Sequence, residues 1–159
     1  MRKLMNAEIM EHDFKLRQMG ADVYVVNSKM CYVLFMVGKH EISYVYNINT
    51  KGRYFLERIK PYPLALREFE SEADVIEIIE IDLEQFKNAS HSHNIDAFID
   101  INKRFNLSLR KFEDLFLYFN VPLETAEHIQ EELDRIDALI EETKVTANRL
   151  YFKKNPDNL

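Results

Sequence analysis

The fold of this chain is decided by residues 22–62, whose sequence is DVYVVNSKMCYVLFMVGKHEISYVYNINTKGRYFLERIKPY. Runs of Val, Ile, Tyr and Phe are separated there by three short breaks, at residues 27–28, 38–39 and 49–52. Branched and aromatic side chains favour strands because they pack well on a pleated surface, whereas Asn, Ser and Gly favour the turns between strands. The stretch therefore predicts a four-stranded antiparallel β-meander.

The predicted strands differ in their polar content. Residues 30–37 contain no charged or amide side chain, which predicts an internal strand that is covered on both faces or meets another subunit with one face. Residues 41–49 and 53–60 alternate apolar and polar positions, as half-solvated strands do. Residues 60–63 (Lys-Pro-Tyr-Pro) are predicted to end the sheet, because proline cannot donate a hydrogen bond to a ladder.

Helical patterns flank the predicted sheet. A first helix is predicted over residues 7–19, with Gly20 as its C-terminal cap. After the sheet, residues 75–81 fit either a helix or a strand, because Ile78 and Ile81 interrupt an otherwise helical spacing. Both alternatives leave the fold in the α+β class.

Two short helices and one long helix are predicted after residue 94. The short helices cover residues 95–105 and 109–119, and Ser108 is placed to cap the second of them. The long amphipathic helix begins near Pro122, since proline is well tolerated in the first turn of a helix. The predicted fold is therefore an N-terminal helix, a four-stranded antiparallel β-meander, and three to four α-helices.

The length of 159 residues predicts a single domain. Its predicted parts are residues 1–62, which hold the first helix and the meander, residues 63–155, which are mostly helical, and residues 156–159, which form a frayed tail.

The long helix carries a heptad pattern. Its apolar positions are spaced alternately three and four residues apart, which predicts a seam about 38 Å long at 1.5 Å per residue. The seam consists of Ala126, Ile129, Leu133, Ile136, Ile140, Thr143, Ala147 and Leu150. Such a seam is typical of a helix that packs against a partner helix.

The charge of the chain is −6 and is unevenly distributed. Residues 1–62 carry a net charge of +4 and residues 63–159 a net charge of −10. Residues 124–142 alone have eight acids against Arg135. The sign then reverses at Lys144, Arg149, Lys153 and Lys154. Because an acidic chain repels phosphate backbones and membrane surfaces, neither a nucleic acid nor a membrane is predicted as a partner.

The seam and the charges together predict a homodimer. In an antiparallel pair of long helices, the basic end of one helix lies beside the acidic stretch of the other, and the seam supplies the apolar core. The predicted interface residues are Ile129, Leu133, Ile136, Ile140, Glu131, Asp134, Arg149 and Lys153. This pattern favours a non-catalytic interaction or regulatory module, and a basic client protein is a further possible partner. A solvated outer face above an ordinary core-facing stripe is the alternative explanation of the same pattern.

A second hypothesis is a binding protein for a small apolar or aromatic ligand, held over the tyrosine-rich sheet. Tyr32, Tyr44, Tyr46 and Tyr54 are the predicted pocket residues, and the hydroxyls of Tyr44 and Tyr46 are the predicted polar contacts. Aromatic residues on strands more often form a core, however, and half of them must face away from any one pocket.

Other classes of site have weaker support in the sequence. Residues 115–129 have the apolar rhythm of a helix-turn-helix, but the second helix carries mostly acids where base- and phosphate-binding side chains are needed. His91 and His93 are the first candidates for a metal pair, yet no His-Glu-x-x-His, Glu-x-x-His pair or Cys-x-x-Cys motif is present. No metal and no cofactor are therefore predicted.

The sequence also indicates no catalytic residue, no signal peptide and no membrane-spanning segment. It contains no Gly-rich phosphate loop, no Gly-x-Ser-x-Gly elbow and no dinucleotide fingerprint, which favours a non-enzyme without excluding an enzyme.

Cys31, the single cysteine, lies in an apolar run and is predicted to be a buried structural thiol. With neither a signal peptide nor an apolar run of about 20 residues, the chain is predicted to be soluble and cytoplasmic.

Overall fold

The computed structural model of the chain describes residues 2–27 and 30–159 and has the predicted α+β class. Its elements are α1 (Arg2–Gln18), β1 (Asp22–Asn27), β2 (Met30–Val37), β3 (His40–Ile48), β4 (Tyr54–Lys60), β5 (Leu64–Phe69), α2 (Glu72–Ala89), α3 (Ile95–Tyr118) and α4 (Leu123–Thr146). The chain divides into two compact units, which we call the N-terminal unit (Met1–Lys103) and the C-terminal unit (Arg104–Leu159).

The sheet has five strands rather than the predicted four, in the order β1-β2-β3-β4-β5, and all neighbouring strands are antiparallel. The fifth strand, Leu64–Phe69, pairs with β4 from Arg58↔Leu64 to Tyr54↔Phe69. The prediction that residues 60–63 end the sheet was therefore wrong. Pro61 and Pro63 lie in the turn between the two strands, outside the ladder, so the missing proline N–H groups interrupt no hydrogen bond between the strands.

The first helix ends at the predicted cap. Gly20 has a φ of +95°, a conformation that residues with a Cβ atom adopt only under strain, and the backbone N–H of Ala21 donates to the carbonyl oxygen of Leu16 at 3.0 Å. Leu16 is completely buried, so that this turn fixes α1 against the core of the N-terminal unit.

The core lies on one face of the sheet, where α1 and α2 cover it. Alternate residues of β2 are buried against the helices, and the residues between them are half-buried or exposed, up to 59% for Met36. The buried set of β2 is Cys31, Val33, Phe35 and Val37. The strand is internal, as predicted, but its expected coverage on both faces is wrong for the single chain, because both covering helices pack on the same face.

Residues 75–81, which fitted two structures in the sequence, are part of helix α2. The side chain of Ser71 caps this helix by accepting a hydrogen bond from the backbone N–H of Asp74 at 3.2 Å. Ile78 and Ile81 interrupted the helical spacing because they are half-buried beside the buried stripe of the helix. That stripe consists of Val75, Ile76, Ile79, Leu83 and Phe86.

Three helices follow the sheet. The two short helices predicted over residues 95–105 and 109–119 are one continuous helix, α3, and Ser108 lies exposed in its middle instead of capping a helix. Ser is only moderately unfavourable inside a helix, so one such residue does not end it. Helix α4 ends at Thr146, and the last two seam positions, Ala147 and Leu150, lie beyond it.

Candidate interaction surface

Helix α4 presents its apolar seam without burying it. Pro122 precedes the helix with extended backbone, and the three-and-four spacing places the seam residues on one side of it. No side chain of α4 is fully buried, and Leu133 and Ile140 of the seam are 53% and 43% exposed. A core-facing stripe has lost most of its contact with solvent, whereas this seam is only half-buried at Ala126, Ile129 and Ile136 and is therefore incompletely covered within the C-terminal unit.

Apolar side chains are exposed throughout the C-terminal unit and not only on α4. In this unit, all of which the structure describes, no residue is fully buried. Its exposed large apolar residues are Phe105, Leu107, Leu109, Phe112, Phe116, Leu117, Tyr118, Phe119, Leu123, Leu133, Leu139, Ile140, Val145, Leu150, Phe152 and Leu159. Soluble monomers rarely expose so many large apolar side chains within one small region, and such surfaces mark interaction sites.

A second apolar surface follows the C-terminal part of α3. Four residues of this helix, together with Phe119 directly after its end, keep helical spacing within one sector, and each is between 38% and 69% exposed. We call them the α3 stripe: Phe105, Leu109, Phe112, Phe116 and Phe119. The rings of Phe112 and Phe116 contact one another, with centroids 5.1 Å apart. The predicted break at residue 108 had hidden the continuity of this stripe across Phe105.

The charges at the end of the chain are arranged differently from the sequence-based expectation. Arg149 and Lys153, both predicted interface residues, lie after the end of α4. The guanidinium of Arg149 donates to the carbonyl oxygens of Tyr151 at 2.7 Å and Lys154 at 3.0 Å, so it organises the tail itself. Helix α4 therefore contains the acidic residues of the predicted interface, whereas most of the basic residues lie in the segment that follows the helix.

A shallow, open depression of about 320 Å³ lies on α4. It is lined by Thr125, His128, Ile129, Glu132 and Leu133. Two of these residues, Ile129 and Leu133, belong to the predicted interface.

The four tyrosines of the ligand hypothesis are not brought together. Tyr44 and Tyr46 are buried under the helices, and Tyr54 lies on the same face of the sheet, 6.5 Å from Tyr46 between ring centroids. Tyr32 lies on the opposite face and donates to Glu41 at 2.9 Å. The structure thus shows the first three as part of the covered side of the sheet.

The hydroxyls of the two buried tyrosines already have partners. Tyr44 donates to Asp82 at 2.7 Å, and Tyr46 donates to Glu72 at 2.7 Å. Burial, together with the negative charge of Asp82, raises the pKa of Tyr44, and burial together with the hydrogen bond to Glu72 raises the pKa of Tyr46. Both hydroxyls therefore stay protonated, and their hydrogen bonds to the carboxylates stabilise the core.

A buried ion pair joins the sheet to α2. Arg58, whose side chain is 4% exposed, donates through Nη1 to both carboxylate oxygens of Asp82, at 2.8 and 3.0 Å. Its guanidinium also lies over the rings of Tyr62 and Phe86, at 4.5 and 4.9 Å from their centroids. The charge of Arg58 therefore interacts with the carboxylate of Asp82 and with two aromatic rings. Such a buried and fully engaged arginine is typical of a structural site.

The histidines do not form a metal site in the described part of the chain. His91 and His93 lie exposed in the turn between α2 and α3, and no group of three or more His, Cys, Asp or Glu side chains is placed to hold a metal ion within residues 2–27 and 30–159. His12 and His40 are used elsewhere: His12 contacts Glu72 at 2.8 Å, and His40 lies 3.0 Å from Asp96.

Cys31 is buried among core residues, and burial raises the pKa of its thiol. Because the thiolate is the reactive form, we expect folded protein at neutral pH to react with iodoacetamide at least about tenfold more slowly than unfolded protein. The measurement is the rate of alkylation, followed by mass spectrometry. A Glu127→Cys variant, with its added thiol at an exposed position, provides the matched control. Equal rates at positions 31 and 127 would show that the thiol is accessible.

The comparisons with known proteins add no functional assignment. No protein-family model, curated protein or solved structure matches the chain. In the described part of the chain, no helix combines the length and the apolar content needed to cross a bilayer.

Proposed function

We propose that this protein is a non-catalytic interaction or regulatory module that forms a homodimer through its C-terminal unit, with the α4 seam at the centre of the interface. One observation carries the proposal: the C-terminal unit has no fully buried residue, although large apolar side chains line both of its helical segments. A second copy of the chain supplies the missing cover.

The energetics of small helical units support this proposal. Ordering a residue costs about 1–2 kcal/mol of backbone entropy, and each apolar Å² removed from water returns only about 25 cal/mol. A single helix of the length of α4 is at best marginally stable in water without tertiary packing. An ordered C-terminal unit without a core of its own is therefore best explained by burial against another chain.

The seam residues and the predicted charged residues have different roles in this proposal. Ile129, Leu133 and Ile136 lie on the seam itself and form the apolar centre of the interface with Ile140. Helical geometry places Glu131 and Asp134 away from the seam, so their carboxylates stay in water and keep the outer surface of α4 acidic. A basic client protein is the alternative partner for that outer surface.

We also propose that the protein acts in the cytosol. The support is the single cysteine, which leaves the chain without an internal disulfide, as is usual in a reducing compartment.

Native mass spectrometry of the purified full chain tests the proposal. We expect a main species at twice the chain mass of 19.0 kDa, with no additional mass attached. A protein that is monomeric up to a concentration of about 100 μM, where an obligate dimer is fully assembled, would overturn it. A monomer carrying a small-molecule adduct would instead support the ligand-binding alternative.

A further inference from the structure

We propose that in this dimer the α4 seam of one copy packs against the α3 stripe of the other copy, instead of against a second α4 seam. The inference rests on the proposed function and names the surface that the seam meets. Because a twofold axis repeats every contact, the dimer contains two identical α3–α4 contacts, and the α3 and α4 helices of the two copies form a four-helix arrangement.

The charges along α4 disfavour a pair of α4 helices. The seam is bordered by Glu132 on one side and Asp137 on the other, within a stretch that has eight acids against one arginine. The basic residues that would balance a second acidic helix lie mostly beyond Thr146, and Arg149 is engaged with the tail. Two α4 seams would therefore bring like charges together along most of their length.

The borders of the α3 stripe carry the complementary charge. Arg104 and Lys111 are exposed, lie seven residues apart and so follow the same side of the helix. Glu113, on the other border, is the acidic exception. Long basic side chains at such flanking positions set the choice of partner helix in coiled-coil packing. Arg104 and Lys111 thus match an acidic helix such as α4.

The apolar surfaces also match in length. The α3 stripe extends over residues 105–119, and the seam from Ala126 to Ile140 covers the same number of residues, about 21 Å at 1.5 Å per residue. The stripe carries mainly phenylalanine, whereas the seam carries Ala, Ile and Leu, so large rings meet smaller aliphatic side chains. Packing large against small residues fills an interface without voids.

Two double charge-reversal variants of the full chain test this arrangement. The first is Arg104→Glu with Lys111→Glu, and the second is Glu132→Lys with Asp137→Lys. We expect each variant alone to self-associate at least about tenfold more weakly than the unmodified protein at low salt, because like charges then border both α3–α4 contacts. A 1:1 mixture is expected to form a heterodimer of nearly unmodified affinity, since both of its contacts regain opposite charges.

The matched control is Lys103→Glu with Arg110→Glu, which reverses two charges seven residues apart on the other side of α3. Its dimer affinity is expected to stay within about threefold of the unmodified value, and circular dichroism checks that all variants keep their helices. Analytical ultracentrifugation measures the dissociation constants. Salt near 1 M is expected to reduce the differences, because it screens charges beyond about 3 Å.

A first variant that dimerises as tightly as the unmodified protein would overturn the inference, since α4–α4 pairing does not involve Arg104 or Lys111. A mixture that fails to form the heterodimer, when each variant alone is weakened, would also overturn it. An unmodified protein that is monomeric would instead overturn the proposed function, and this result is obtained before any variant is made.

Discussion

Replacing Leu133 and Ile136 together with glutamate is expected to convert the dimer into monomers. Both residues lie on the α4 seam, and burying a Leu or Ile side chain contributes about 1.5–3 kcal/mol. About half of each side chain is already covered in the single chain, so four such side chains per dimer amount to a loss of about 3–6 kcal/mol, or about 10²- to 10⁴-fold in the dissociation constant. Size-exclusion chromatography with light scattering, across a range of protein concentrations, measures the change.

The matched control for this variant is Ala138→Glu with Val145→Glu. Both positions are exposed on α4 and lie away from the seam, so the control adds the same number of negative charges to the same helix. It is expected to remain dimeric. A Leu133→Glu/Ile136→Glu protein that keeps its dimer mass and its helical content would show that the seam is not the interface.

Replacing Asp82 with alanine is expected to lower the free energy of unfolding by about 3–5 kcal/mol, because it leaves the buried Arg58 without its counter-charge. The pair is well shielded, with side-chain exposures of 4% for Arg58 and 14% for Asp82. The variant also removes the acceptor of the buried Tyr44 hydroxyl, which donates to Asp82 at 2.7 Å, and this adds to the loss. Urea denaturation followed by circular dichroism measures the effect.

Two comparison variants isolate the unpaired charge as the cause. Arg58→Met with Asp82→Asn removes both charges while the asparagine side-chain oxygen still accepts from the hydroxyl of Tyr44, and it is expected to stay within about 1–2 kcal/mol of the unmodified protein. Glu80→Ala removes an exposed carboxylate that lies 3.8 Å from Lys15, and it is expected to cost less than about 1 kcal/mol. An Asp82→Ala protein as stable as the Glu80→Ala protein would show that Arg58 finds another partner or reaches water.

Local patterns predicted much of the fold correctly. The alternation of residues 41–49 gave the buried side of β3, because the two-residue period of a strand separates its faces regardless of context. The missed fifth strand had a weaker signal. Residues 64–69 contain Arg67 and Glu68 and follow two prolines, and the pairing with β4 that makes them a strand is not a local property.

The site was predicted in part. The seam of α4 was visible in its spacing, and the acidic face in its charges, whereas the α3 stripe was divided by a helix break that does not exist. The burial of Arg58 has a signal in the sequence, because this residue falls on the same side of its alternating strand as Tyr54 and Leu56. Its counter-ion, Asp82, lies 24 residues further along the chain. Nothing in the local pattern connects the two residues.

The sequence by itself determined the α+β class, the faces of the alternating strands, the cap at Gly20 and the spacing of the α4 seam. These features follow from backbone geometry and from periods of two and about 3.6 residues, which operate within one element. The tertiary structure alone decided that both covering helices pack on one face of the sheet, that Tyr44 and Arg58 share Asp82, and that the C-terminal unit leaves its apolar surfaces uncovered. The reason is that burial depends on which distant segments meet, and a local pattern shows only that a face is apolar, not what covers it.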